Sequence, residues 1–224
     1  MSFEEELERV LPADLPHRAD VIQKAARHLD LVVAANEYMN LTRIATPKEA
    51  AIKHVADCLL PWRHFSHARR ILDAGTGAGF PGIPLALVFP ETHFTLTDSI
   101  QKKARFIETV IEDLKLENVD VAAERAESLA LEKRPDVITA RAVAPLERLV
   151  HTFGKCLERG MRLLLYKGPD AEDEFSALNR SRADVQVVDR YELPEGFGMR
   201  TLIAVAVTMP GRAERDRQAR PKPR

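Results

Sequence analysis

Val21, Ile22, Ala25, Ala26, Leu29, Val32 and Val33 recur at intervals of three and four, which predicts an amphipathic helix over roughly residues 17 to 38. Something else in the chain must cover its apolar face. A second helical stretch begins at Pro47, where Thr46 can cap and proline fits the first helical position. Ile52, Val55, Leu59 and Leu60 carry its apolar face to about Pro61. The period then changes. Short apolar runs predict strands at residues 70–73, 93–97, 119–123, 137–140 and 162–166, with helices between them at 83–88, 100–114 and 146–157. This alternation is the pattern of a parallel sheet with helices on both faces. Beyond residue 170 come a polar helix, a strand at 185–188 and an apolar run at 202–207; the last two can pair as an antiparallel hairpin on the sheet edge. The expected division is an N-terminal helical extension (1–65), an α/β domain (66–210) and a basic tail (211–224).

The first strand runs into Asp73-Ala74-Gly75-Thr76-Gly77-Ala78-Gly79-Phe80-Pro81-Gly82-Ile83-Pro84, and the second ends at Asp98-Ser99. A glycine-rich turn between strand and helix, with a carboxylate about 20 residues on, is a nucleoside-binding arrangement. Gly75, Gly77 and Gly79 remove side chains where a ligand would approach the backbone, although positive φ would also require glycine. Phe80 stands where a dinucleotide site has its third glycine, and Pro81 stiffens the turn. That turn suits S-adenosylmethionine, which brings an amino-acid moiety and adenosine without phosphate, better than a pyrophosphate.

Length and composition narrow the frame. At 224 residues, 45% hydrophobic and 30% charged, the chain has room for one α/β core and an appendage. Cys58 and Cys156 have neither disulfide nor zinc spacing and read as packing residues in a reducing compartment. The acidic start, Met1-Ser2-Phe3-Glu4-Glu5-Glu6, is unlike a signal peptide, and no apolar run is long enough to span a membrane, so a cytoplasmic protein is expected. Net charge is −1, yet Gly211 to Arg224 holds six basic residues against two acidic ones. This segment is expected to be disordered, either as a solubilising terminus or as an RNA-binding arm.

Ligands of open parallel sheets bind beyond the carboxyl ends of the strands, so residues there are the candidates. After the glycine turn and Asp98 come Arg125-Ala126-Glu127, then Arg141, then Lys167-Gly168. Asp98 can accept from both ribose hydroxyls, or cap the next helix. Asp73 can meet a ligand ammonium, or pair with a basic residue of the chain. Ala126 and Glu127 can offer backbone groups to an adenine edge. Arg141 carries a planar fork suited to carboxylate or phosphate, with a structural salt bridge as the alternative. Upstream, Asn40-Leu41-Thr42 leads into Lys53, His54 and Asp57; Lys53 and Asp57 share a helix face, and His54 can turn to the cleft or remain structural.

These residues, in this order, resemble the RsmG (GidB) family: Asn40-Leu41-Thr42, Lys53-His54-Val55-Ala56-Asp57, the extended glycine turn through Pro84, Asp98-Ser99 with Lys102-Lys103, Arg125-Ala126-Glu127, Arg141-Ala142 and Lys167-Gly168. Departures from the family pattern are slight, such as Cys58 in place of serine. The resemblance implies a class I S-adenosylmethionine-dependent methyltransferase fold, with a mostly parallel seven-stranded sheet and an N-terminal helical extension. It also implies methylation of guanine N7 in the 530 loop of 16S ribosomal RNA, on the RNA or the small subunit, by a monomer. N7 carries a free lone pair, so alignment and a dry pocket suffice without a general base or a metal. By analogy Asp73, Gly75, Gly77, Gly79, Phe80, Asp98, Ser99, Ala126, Glu127 and Arg141 serve the cofactor. Lys53, His54, Arg141 and Lys167 are positioning candidates towards RNA or base. The competing readings are a small-molecule methyltransferase, a non-catalytic RNA-binding assembly protein and, least favoured by Phe80 and Pro81, a nicotinamide-dependent oxidoreductase.

Overall fold

Ser2 opens the chain's first helix with a reciprocal cap: its hydroxyl accepts from the Glu5 amide, and the Glu5 carboxylate accepts from the Ser2 amide. The computed structural model, which describes residues 1–44, 46–178 and 183–207, thus begins with α1 (Phe3–Val10), a helix the apolar pattern does not announce. α2 (Arg18–Met39) buries Val21, Ile22, Ala25, Ala26, Leu29 and Val32 as predicted, while Val33 points outward at 40% exposure. It stops at Asn40, whose φ of 54° cannot continue a right-handed helix.

The stretch predicted as one helix from Pro47 is three pieces. Thr46 caps α3 (Pro47–Ala50), a π-helical turn comes next at Ala51–Ala56, and α4 (Asp57–Leu59) completes it. In the wide turn the Asp57 amide bonds to the Ile52 carbonyl, so the Lys53 carbonyl, its partner in an α-helix, is released.

Seven strands then form one sheet: β1 (Arg70–Ala74), β2 (His93–Thr97), β3 (Val119–Ala122), β4 (Val137–Arg141), β5 (Arg162–Lys167), β6 (Ala183–Glu192) and β7 (Met199–Val207). Their order is β3-β2-β1-β4-β5-β7-β6. The first five run parallel, and β7 enters antiparallel between β5 and the edge strand β6, forming the expected hairpin with longer arms. Helices α5 (Gly82–Val88), α6 (Gln101–Leu114), α7 (Ala126–Lys133), α8 (Leu146–Thr152) and α9 (Gly154–Glu158) cover the two faces. A predicted single helix at 146–157 is thus two, divided at Phe153.

Successive strand residues feed opposite layers. Ile71 and Leu164 join the N-terminal helices, α5 and α6 in one core, whereas Leu72, Leu163 and Leu165 join α7, α8 and α9 in the other. The helical extension therefore shares one layer of cover with α5 and α6. Strand order reverses between β1 and β4, which opens a crevice at their carboxyl ends.

Asn118, just before β3, closes the far end of this layer by donating from Nδ2 towards the carbonyls of Ala86, Phe89 and Thr92, each at 3.1 Å. Asn118→Ala is expected to lower unfolding free energy by about 1–3 kcal/mol in urea titration, because it strands these half-buried acceptors together.

Candidate active site

The glycine turn is organised by two carboxylates. Asp73, at the end of β1 and fully buried, accepts from the Thr76 hydroxyl at 2.7 Å and from the Gly82 amide at 2.9 Å, both at Oδ2. Asp98, at the end of β2, accepts from the Gly77 amide at 3.1 Å and the Ile100 amide at 2.9 Å. Asp98 therefore caps the chain entering α6 and braces the turn at once. Other turn amides are committed inside the chain: Thr76 to the Thr97 carbonyl, Gly79 and Phe80 to the Thr76 carbonyl, Ile83 to the Gly79 carbonyl. A phosphate cradle needs such amides free. Here they are occupied, and two acids lie beneath them.

Each glycine answers to a different neighbour. All three have positive φ, at 69°, 60° and 96° for Gly75, Gly77 and Gly79. A Cβ on Gly75 would meet Val143 Cγ2 at 2.9 Å, and one on Gly79 would meet Ile83 and the His28 ring at 2.8 and 3.1 Å. Gly77 faces open space.

Phe80 carries an aromatic cluster. The rings of His28 and His54 both stack on it at centroid distances of 4.7 Å, and the Arg141 guanidinium lies over it at 5.5 Å. His54 pairs with the Thr42 hydroxyl at 2.9 Å, and His28 Nε2 donates to the Ala78 carbonyl at 2.8 Å. Burial, with the charges of Arg141, His28 and Lys53 adding to it, lowers His54 to about 3; burial lowers His28 to about 4. Both are neutral at physiological pH.

Arg141, at the end of β4, donates to the freed Lys53 carbonyl at 2.7 Å and to Asp57 Oδ2 at 3.0 Å. Asp57 Oδ1 accepts from Tyr191 at 3.1 Å and lies 3.7 Å from Arg200. Lys53 pairs with Glu49, and Lys167 with Glu174 and the Ala144 carbonyl. A salt bridge and a cleft position thus coexist at Arg141.

Two cavities meet at the strand ends. The smaller, about 330 Å³, is lined by Asp98, Ser99, Arg125, Ala126 and Glu127. The larger, about 740 Å³, is lined by Gly77, Phe80, Lys53, His54, Asp57, Arg141, Lys167 and Arg200 among others. Gly75, Val143, Ala144 and Leu149 belong to both, so the cavities touch along one seam. Of the predicted site residues, only Asp73 and Gly79 line neither: the first lies under the turn, the second against His28. Sequence reasoning did not single out His28, Val143, Tyr191 or Arg200. His28 left a usable signal, since it falls at helical spacing between Ala25 and Val32 on the buried face of α2. Cys58 is buried, and burial pushes its thiol up; among the described residues no group of three or more His, Cys, Asp or Glu is placed to hold a metal, and no helix is long and apolar enough to cross a membrane.

Residues 21–196 match the family model described as rRNA small subunit methyltransferase G. Among curated proteins of that name, the chain is 57% identical to one from Solibacter usitatus over 209 residues, which is 92% of this chain and all of the relative. It is 40% identical to one from Thermotoga neapolitana over 78% of each chain. A solved SAM-dependent O-methyltransferase from Thermotoga maritima superposes with a TM-score of 0.51 at 17% identity, covering 80% of this chain and 72% of that one, which speaks for the fold alone.

The buried titratable groups set a pH dependence. His28 and His54, lowered from 6.5, stay neutral in the folded chain while the unfolded chain protonates them, so their contribution is lost as pH falls from about 6.5 towards 4. Asp73 acts oppositely: burial raises it from 3.8 to about 6, against the Thr76 and Gly82 hydrogen bonds, so the folded chain gains a proton first. Two imidazoles outweigh one carboxyl. Unfolding free energy is expected to drop by on the order of 1–2 kcal/mol between about pH 6.5 and 4.5 in denaturant titrations, and His54→Gln to flatten the slope.

Proposed function

Since the chain belongs to the GidB family of small-subunit ribosomal RNA methyltransferases, we propose that it methylates N7 of a guanine in the 530 loop of 16S ribosomal RNA, using S-adenosylmethionine. The observation that carries this reading is the seam. A cavity lined by Asp98, Glu124 and Glu127 together with Arg125 and Arg148 touches a second, rimmed by Lys53, Arg141, Lys167 and Arg200, along Gly75 and Val143, so that a donor held in one can meet an acceptor held in the other. A small-subunit RNA substrate supports a cytoplasmic site of action.

The residues fit that cofactor. Asp73 Oδ1 is a buried acceptor without a partner, Gly77 leaves open space beside the turn, and the committed amides disfavour a dinucleotide. Asp98, Ser99, Ala126 and Glu127 would hold the adenosine side, and Gly75, Gly77 and Phe80 the remainder. When bound, S-adenosylmethionine supplies a methyl group on a sulfonium, to which a lone pair can be joined without prior removal of a proton. The protein's task is then orientation and exclusion of water. Phe80 and the neutral His54 give the larger cavity an apolar, stackable wall, while Lys53, Arg141, Lys167 and Arg200 place positive charge around it. Glu49 and Glu174 hold the two lysines in the free protein and are exchangeable for phosphates.

The test is methyl transfer to small-subunit RNA, as naked 16S RNA and as subunits, from cells lacking this protein, with N7-methylguanine mapped. Labelling at one guanine is expected, with RNA affinity falling steeply with salt. Gly77→Trp, which fills the open space beside the turn, should reduce transfer by roughly 100-fold or more, with calorimetric affinity for the cofactor falling alongside. Cofactor binding without methylation of either substrate would sink the reading, and an unchanged cellular role in Gly77→Trp would favour a non-catalytic assembly protein.

A further inference from the structure

Two histidines of the N-terminal extension reach the glycine turn, and one of them, His28, holds its backbone as well as a side chain. His28 belongs to α2, is wholly buried, and touches the turn twice. Its Nε2–H donates to the Ala78 carbonyl, and its ring stacks on Phe80. A carbonyl only accepts, so the hydrogen bond fixes the tautomer: Nε2 carries the proton and Nδ1 holds a bare lone pair, consistent with a buried Nδ1 that has no partner. The peptide unit between Ala78 and Gly79 is therefore held at both ends, its carbonyl by His28 and its N–H by the Thr76 carbonyl. Gly79 permits this approach, because a Cβ there would lie 3.1 Å from the imidazole. Ala78 and Phe80, the residues on either side of Gly79, both line the larger cavity.

A residue present only for bulk would need no donor. Burying an imidazole without pairing it carries a penalty that an aliphatic side chain avoids. The placement of that donor on the Ala78 carbonyl, between two cavity-lining residues, is what a packing role leaves unexplained.

We propose that His28 is a positioning residue for the cofactor turn: through its Nε2–H it fixes the Ala78–Gly79 peptide, and through its ring the Phe80 side chain, in the arrangement that receives S-adenosylmethionine. The inference rests on the cofactor reading of that cavity. It makes the helical extension part of the cofactor site, beyond being a cover for the sheet.

Calorimetric titration of the full chain with S-adenosylmethionine and with its demethylated product tests it, using His28→Phe, which keeps a ring on Phe80 and loses the donor, and His28→Gln, which keeps an N–H donor and loses the ring. The expected result is about tenfold weaker binding in His28→Phe, the equivalent of one hydrogen bond, and a loss of under about threefold in His28→Gln. With RNA supplied, KM for the cofactor should follow these losses while kcat at saturation stays within about twofold. Thermal melts report folding separately, and in a packing role affinity would track melting temperature, with His28→Phe nearest to the parent. Wild-type affinity in His28→Phe, equal losses in both variants, or a fall in kcat at saturation overturns the inference. A parent protein that binds the cofactor but methylates no RNA overturns only the substrate reading.

Discussion

A carboxylate that is 6% exposed needs cations and donors around it to offset its burial, and Asp57 obtains them from three strands at once. Arg141 comes from β4, Tyr191 from β6 and Arg200 from β7, while Asp57 itself stands on the helical extension. The extension, the parallel sheet and the antiparallel hairpin are therefore joined at one point, at the mouth of the larger cavity. Arg141 depends on this pairing more than Asp57 does, because Asp57 also has Arg200 and Tyr191 beside it. Its planar fork is held between a carboxylate and a backbone carbonyl, over the Phe80 ring.

A similar logic explains the glycine turn. Most of its amides are taken by Asp73, Asp98 and the carbonyls of Thr76, Gly79 and Thr97, so the turn is braced before any ligand arrives. Preorganisation of this kind lowers the ordering required on binding. It also selects against anions: a phosphate would find few free donors and two acids. The turn is a shaped wall braced by carboxylates, and Lys53, Arg141, Lys167 and Arg200 stand around the neighbouring larger cavity.

Much of this was legible in the chain. Periodicity located α2, the five parallel strands and the hairpin, because sheet strands buried on both faces leave unbroken apolar runs and an amphipathic helix leaves a stripe. The strand-end rule gathered Asp98, Ser99, Ala126, Glu127, Arg141 and Lys167 from distant parts of the sequence into one crevice, and the extended Phe80–Pro84 motif narrowed the family. What stayed hidden depends on geometry that local pattern does not encode. α1 is short and its face is obscured by three successive glutamates. The π turn at Ala51–Ala56 has the composition of an ordinary helix. Val143 owes its place on the seam to Ala142, a non-glycine residue at φ 55° that sequence gives no reason to expect there. His28 was readable as polar among apolar neighbours, but its partner, a carbonyl fifty residues on, was not. The basic segment from Gly211 lies outside the described residues.

The widened turn separates two duties that share one residue. Arg141 is held by the carbonyl of Lys53, not by its side chain, and a main-chain oxygen is the same whatever amino acid is present. The ammonium group of that residue is left part-exposed at the cavity rim, paired with Glu49 and lying over the Phe197 ring. Evolution can therefore retune what position 53 presents to a polymer without loosening the anchor of the guanidinium beneath it. A one-residue deletion in the turn would have the opposite effect: the helix would regain regular hydrogen bonding, the residues on its N-terminal side would rotate by about 100° relative to those on its C-terminal side, and the anchor would vanish although no functional side chain had changed. In this molecule a small irregularity of the backbone is the heritable element, and the lysine is the adjustable one.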